Sequence, residues 1–523
     1  MLFSEGKMFI KVLFLILFFG IMVGVGFYSR RHATNVNSFV LGGRHVGPWL
    51  TAFAYGTSYF SAVVFVGYAG QFGWKYGLAS TWIGLGNAFI GSLLAWVVLG
   101  RRTRIMTNHL NAATMPEFFE SRYDSHALKT VSSAIIFIFL VPYTASIYNG
   151  LSRLFGMAFD IPYVVCVLVM AILTGAYVVL GGYMATAIND FIQGIIMLFG
   201  IVAVIAGVLS GHGGFLEAVR QLAEIPSDTA VTMGQPGAFT SFFGPDPLNL
   251  LGVIILTSLG TWGLPQMIHK FYAIKSEKAI NTGTVVSTFF AIIVAGGCYF
   301  LGGFGRLFDS ADIKNASGAV VYDSIIPHML SSLPDILIGV VVVLVLSASM
   351  STLSSLVLAS SSTLTLDFIK DNIVKNMSEK SQLFTMRVLV IFFIILSVIM
   401  ALDPPTFIAQ LMGVSWGALA GSFLAPFLYG LYMRRVTKAA VWASFAAGVG
   451  ITVGNLFFKF IASPINAGAI AMIAGLVVVP LVSFITPAPD RQHVDSVFSC
   501  YEETVTIQKK FSLAYESSDD SEN

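Results

Sequence analysis

The chain has 523 residues, 56% of them hydrophobic and 11% charged, with a formal net charge of +2 and a mean hydropathy of +0.81. Soluble domains carry roughly 25% charged residues, so the composition excludes a water-soluble globular protein and describes an all-α polytopic membrane protein. The basic residues are scattered between apolar segments, which leaves nucleic acid without support as a partner. Cys166, Cys298 and Cys500 are far apart, in neither a disulfide framework nor a metal motif.

A spanning helix needs about 20 predominantly apolar residues. By that length thirteen transmembrane helices are predicted, near 8–28, 48–69, 78–99, 129–152, 161–181, 189–210, 248–269, 281–303, 335–363, 385–402, 405–431, 437–457 and 465–486. The first has no small-residue cleavage site and is followed by Ser29-Arg30-Arg31, which suits a retained span better than a signal peptide. Arg30 and Arg31, Arg101 to Arg104, His269-Lys270 with Lys275 and Lys278, Lys370 to Lys380, and Arg434-Arg435 with Lys438 all fall on one side of such a chain. The opposite side has few basic residues, such as Lys75, Arg220, Arg306, Lys314 and Lys459. The positive-inside rule then predicts a plasma-membrane protein with its N-terminus outside and its C-terminus cytoplasmic. Two long outer loops are expected, about 211–247 and 304–334. Residues 1–489 read as one transmembrane domain in the lipid bilayer, and 490–523 as a cytoplasmic, mostly disordered tail.

Two spans are interrupted. The second contains Ala54-Tyr-Gly-Thr-Ser-Tyr-Phe-Ser61, and the seventh contains Thr257-Ser-Leu-Gly-Thr-Trp-Gly-Leu-Pro265. Either stretch alone reads equally as close helix packing. Together, five spans apart, they point to two inverted repeats, about 46–210 and 246–432, with a binding site near the middle of the membrane. The ninth span carries Leu346-Ser-Ala-Ser-Met-Ser-Thr-Leu-Ser-Ser-Leu356, whose Ser347, Ser351, Ser354 and Ser355 share one helix face. Lipid offers hydroxyls no partner, so this face is expected to look into protein, water or a bound ion. Asp190, near the start of the sixth span, is either a helix N-cap together with Asn189 or an ion ligand inside the membrane.

Several of these stretches also resemble a family. Phe39-Val-Leu-Gly-Gly-Arg-His-Val-Gly-Pro-Trp-Leu-Thr-Ala-Phe53, Gly181-Gly-Tyr-Met-Ala-Thr-Ala-Ile-Asn-Asp190, Gly263-Leu-Pro265 and Ala348-Ser-Met-Ser-Thr-Leu-Ser-Ser355 are similar to segments of the sodium:solute symporters. The resemblance covers about residues 8–450 and includes the proline and sialic acid branches of the family. It implies the leucine-transporter-type 5+5 inverted repeat, with one helix before the ten-helix core and two after it. The implied activity is import of a small organic solute coupled to sodium, by alternating access rather than by enzymatic chemistry.

Sodium is a hard cation that takes oxygen ligands, as the alkaline-earth ions do. A broken helix frees backbone carbonyls for that use. The resemblance places one sodium on the carbonyls of Thr57, Phe60 and Ala348 with the hydroxyls of Ser351 and Thr352. The competing expectation is that both hydroxyls bond back to carbonyls of their own helix. The resemblance places a second sodium on Asp190, Ser351, Ser354 and Ser355. The solute pocket is expected between the two breaks, lined by Tyr59, Ser61, Tyr143, Thr257 and Thr261, with Tyr143 resembling a pocket tyrosine of the proline branch. Val63 and Thr257 stand where that branch has two tryptophans, and the 129–152 span has no arginine to pair a sialic acid carboxylate. A small amino acid such as proline, or a monocarboxylate, fits this pocket best. His269-Lys270 is expected to anchor a helix end at the cytoplasmic surface. Proton coupling through Asp190 on the same fold and a channel are the alternatives. No partner protein is evident.

Overall fold

The computed structural model describes residues 2–502 apart from Asp160, Pro404 and Pro405. Among these residues the backbone is helical, and β pairing is confined to two isolated bridges, Val46 with Ile274 and Lys314 with Val320. The membrane explains this bias, because a helix satisfies its own backbone where no water can. Ten of the described helices are long and apolar enough to cross a membrane. This number differs from the thirteen expected spans for reasons of length and continuity. Leu15–Ser29 and Tyr163–Ala176 are apolar but short, and Val63–His109 runs parts of two expected spans together. That run turns at Gly77, whose φ of +60° only a glycine adopts readily.

Local sequence accounts for where the helices begin. Thr114, Ser276, Ser378 and Thr437 each accept a hydrogen bond from the N–H three residues on, which satisfies one of the unpaired donors of a helix start. Proline opens Pro48–Tyr59, Pro247–Gly260, Pro265–Ala273 and Pro464–Ile485, where its missing N–H is not needed.

Both interruptions expected from sequence are breaks in helices, and they are built alike. Pro48–Tyr59 ends at Phe60, which is extended (φ −98°, ψ 116°), and the chain becomes helical again from Val63. Pro247–Gly260 ends before a turn, and Leu264 is extended (φ −82°, ψ 123°) before Pro265–Ala273 begins. A parallel bridge ties the two halves together: the Val46 N–H donates to the Ala273 carbonyl (3.3 Å) and the Lys275 N–H to the Val46 carbonyl (3.1 Å). The serine-rich helix Asp335–Thr363 packs against the first broken helix and against Tyr163–Ser210, and its residues from 344 to 363 are all buried.

Three of the basic loops expected on one side, at 101–104, 274–278 and 431–435, meet at one end of the helical block. Arg104 donates to the carbonyls of Ile274 and Lys275 (both 2.9 Å), Arg101 pairs with Glu277 (2.8 Å), and Arg102 donates to the Leu431 carbonyl (3.0 Å). The tail is ordered further than expected, because residues 491–502 form a helix docked on this same end. Arg434 bonds to Asp495 (2.5 Å) and Glu502 (2.9 Å), the Phe498 ring lies against the guanidinium groups of Arg122 and Arg434, and the Tyr501 hydroxyl donates to the Arg102 carbonyl. Residues 503–523 lie outside the described residues.

At the other end, Arg306 closes the loop at 211–247 onto the block. Its guanidinium grips both oxygens of Asp228 (2.8 and 2.7 Å), donates to the Trp74 carbonyl (2.7 Å) and stacks on the Trp74 and Phe239 rings. The bidentate bond holds the Asp228 carboxyl below the usual aspartate range. A depressed carboxyl contributes stability that is present above the unfolded value near 4 and lost as pH falls through the folded value. Hydrogen exchange in residues 211–247 is therefore expected to stay slow from neutral pH down to about 4 and to rise below it. Arg306→Ala is expected to give the fast exchange at neutral pH; unchanged protection in that variant would show that the pair does not hold the loop.

Candidate ion and solute site

The first break and the serine-rich helix bring five oxygen atoms together. The Ser351 hydroxyl lies 3.0 Å from the Thr57 carbonyl oxygen and 3.1 Å from that of Ala348. The Thr352 hydroxyl lies 3.2 Å from the Thr57 carbonyl oxygen, 3.1 Å from that of Phe60 and 3.1 Å from that of Ala348. All five residues are buried, at 0–1% exposure. Each hydroxyl has one proton to donate, so two protons face three carbonyls converging from two helices. Carbonyl and hydroxyl oxygens are also the ligand type that a hard monovalent cation takes. Back-bonding within the helix, the competing expectation, accounts for the Ala348 contacts alone. The extended Phe60 leaves its own carbonyl outside the helix ladder, while the Thr57 carbonyl accepts the Phe60 N–H (3.2 Å) and also meets the two hydroxyls.

The neighbourhood of Asp190 differs from the expectation. Asp190 is fully buried inside the helix 178–210, about two turns past the kink at Gly182, so it does not cap a helix start. Lys270, expected at a surface helix end, is 2% exposed, with its ammonium 3.6 Å from the Asp190 Oδ2. It also donates to the Ser355 hydroxyl (3.0 Å), which is hydrogen-bonded to the Ser58 hydroxyl (2.8 Å). The Tyr183 ring faces the ammonium at 5.2 Å. Ser354 bonds to the carbonyl of Ser351 (2.9 Å). Of the set Asp190, Ser351, Ser354 and Ser355, the lysine thus engages Asp190 and Ser355. Lys270 lies inside Pro265–Ala273, the helix that restarts after the second break. The proline restart was the signal in the sequence that the lysine stands before the loop and not in it.

The expected pocket residues separate. Ser61 follows the break directly, and the Tyr143 hydroxyl is buried beside it. The Tyr143 ring stands edge-on to Trp416, with centroids 5.8 Å apart and planes at 82°. Trp416 lies far along the chain and had no local signal. Thr257 directs its hydroxyl to the Val253 carbonyl of its own helix (2.9 Å). Thr261 directs its hydroxyl to the Gly91 and Ser258 carbonyls (both 2.9 Å), so neither hydroxyl is brought to Tyr143. The Tyr59 side chain lies outside the described residues. Arg153 bonds to Asn149 (3.0 Å) and pairs with Asp323 (3.9 Å).

Comparison with known proteins bears on the family and the fold. The model of the sodium:solute symporter family matches residues 39–448. Sodium/proline symporter 2 of Staphylococcus saprophyticus is 30% identical over 452 residues, 84% of each chain. The osmoregulated proline transporter of Bacillus subtilis is 27% identical, covering 91% of this chain and 94% of its own. Among solved structures, a Na+-coupled sialic acid symporter in its substrate-bound outward-open state superposes with a TM-score of 0.74 at 15% identity, covering 92% of this chain and 98% of that one. That likeness establishes the leucine-transporter-type fold. The chain belongs to the sodium:solute symporter family, membrane transporters that couple solute import to sodium.

Proposed function

We propose that the chain imports a small amino acid of the proline type, with the coupling sodium held by the carbonyls of Thr57, Phe60 and Ala348 and the hydroxyls of Ser351 and Thr352. The observation that carries this reading is the convergence of those five oxygens directly beside Ser61 and Tyr143. A sodium there supplies the positive charge that the pocket lacks, and a solute carboxylate is compensated by it and by the helix ends at the breaks. The Ser61–Tyr143–Trp416 group offers an aromatic wall with two hydroxyls, suited to a compact ring or aliphatic body. The relatives that transport proline support the same class. Arg153, engaged with Asp323, argues against a large acidic sugar. The proposed orientation in the plasma membrane puts the end bearing Arg101, Arg104 and Arg434 in the cytoplasm. With a neutral solute, one sodium and about 100 mV support roughly 50-fold accumulation from voltage alone.

The test is uptake of labelled L-proline, L-lactate and sialic acid into proteoliposomes under an inward sodium gradient. Proline is expected to accumulate, and replacing sodium by choline to abolish this. Sodium-driven uptake of lactate without proline would move the reading to monocarboxylates. Proline uptake that persists in choline on a proton gradient would replace sodium by the proton as coupling ion.

A further inference from the structure

The buried pair of Asp190 and Lys270 has no role in the sodium cluster and stands one helix turn from it along the serine-rich helix. Placing an ammonium inside a membrane protein is unfavourable unless acceptors surround it. Here they do: a carboxylate at 3.6 Å, the Ser355 hydroxyl at 3.0 Å and the face of Tyr183 at 5.2 Å. A carboxylate with hydroxyls around it is also a set of ligands for a monovalent metal ion, because both cations ask for the same thing, oxygen lone pairs and one negative charge.

We infer that the Lys270 ammonium is the resident cation of the Asp190–Ser355 site, so that this transporter carries its second positive charge as part of its own chain and binds one sodium per cycle. The inference rests on the sodium-coupled reading above. Asp190 and Lys270 together are neutral. A sodium added beside them would face the ammonium at about 4 Å, which at an effective dielectric near 20 weakens its binding roughly 1,000-fold. The tether also fixes what the charge can do. Lys270 moves with the helix after the second break, Ser355 belongs to the serine-rich helix, and Ser58 is the neighbour of Thr57 in the first broken helix. The chain Asp190–Lys270–Ser355–Ser58 therefore joins four helices and ends one residue from a sodium carbonyl. A free ion would dissociate at each opening of the site, whereas this cation stays and only its contacts change.

The experiment counts bound 22Na+ on the purified full-length protein at saturating sodium, for wild type and variants whose folding is verified by thermal unfolding. Wild type is expected to bind one sodium and Lys270→Met two, because the substitution frees Asp190 and Ser355. The double variant Asp190→Asn/Lys270→Met is expected to bind one. Two sodium ions on wild type, or one on folded Lys270→Met, would overturn the inference. Ser351→Ala/Thr352→Ala keeps the test decisive if Lys270→Met does not fold: it is expected to bind none, and a remaining ion would place sodium at Asp190 despite the lysine. Wild type that binds no sodium at all would fail differently, by removing the sodium-coupled reading itself.

Discussion

Ser351→Ala combined with Thr352→Ala is expected to raise the sodium concentration for half-maximal uptake by at least about 100-fold. A hydrogen-bonding group contributes about 1.5–3 kcal/mol to a charged partner, and two such groups are removed, so a loss of about 3 kcal/mol or more follows. The three carbonyls of Thr57, Phe60 and Ala348 remain, and the Ser58–Ser355 and Ala62–Ser349 hydrogen bonds still join the first break to the serine-rich helix, so the loss falls on the hydroxyl ligands themselves. The effect is expected in sodium dependence and not in the fold. Wild type should unfold at a higher temperature as sodium is added, while the double variant should unfold at a temperature that sodium does not shift. Thr352→Ser keeps the hydroxyl and is expected to recover most of the sodium response. An unchanged sodium requirement in the double variant would mean that the cluster does not hold the coupling ion.

Gly73→Val is expected to be the most damaging small change in the chain outside the site. Gly73 in Ala69–Tyr76 faces Gly302 of Gly297–Gly302 backbone to backbone: a Cβ at Gly73 would fall on the Gly302 carbonyl, and one at Gly302 on the Ala69 carbonyl. Gly303 continues the contact, with its Cβ position 2.9 Å from the Gly77 oxygen. Backbone atoms cannot rotate away as a side chain can, so the two helices must separate along this seam. Small residues at such crossings are what let membrane helices approach, and overpacking typically costs about 1–3 kcal/mol, with the high end expected where backbone meets backbone. The expected result is loss of monodisperse protein on size-exclusion chromatography in detergent. Gly450→Ala is the contrast: nothing lies within 4 Å of its Cβ position in Lys438–Phe458, and alanine favours the helix, so unfolding temperature should hold or rise. Equal behaviour of the two variants would remove close backbone approach as the cause.

What the sequence displayed was residue type and period. The run from Ala54 to Ser61 and the run from Thr257 to Pro265 announced broken helices because glycine and proline act on their own backbone. Helix period put Ser347, Ser351, Ser354 and Ser355 on one face, but the pairing of Ser351 with Thr352 against Thr57 came from the family resemblance and not from the period. Direction was not legible. Thr257 and Thr261 have the right chemistry for a pocket, but their hydroxyls turn to backbone carbonyls, a choice made by the groove they pack in. Lys270 was misread because a basic residue beside a loop usually belongs to it, and only the helix restart at Pro265 carries it inward to Asp190. The capping alternative for Asp190 and Asn189 falls because the kink that starts their helix comes earlier, at Gly182. Trp416 was invisible, since nothing in the chain near it refers to Tyr143.

The docked helix at 491–502 sets an order of events during synthesis. Its partners, Arg102, Arg122 and Arg434, belong to segments made well before it, and chains fold as they emerge, N-terminal parts first. Those arginines therefore meet these aromatic and carboxylate partners only after residues 491–502 have been made. A chain cut before residue 491 would keep the ten membrane-crossing helices found among the described residues and leave that surface without its cover.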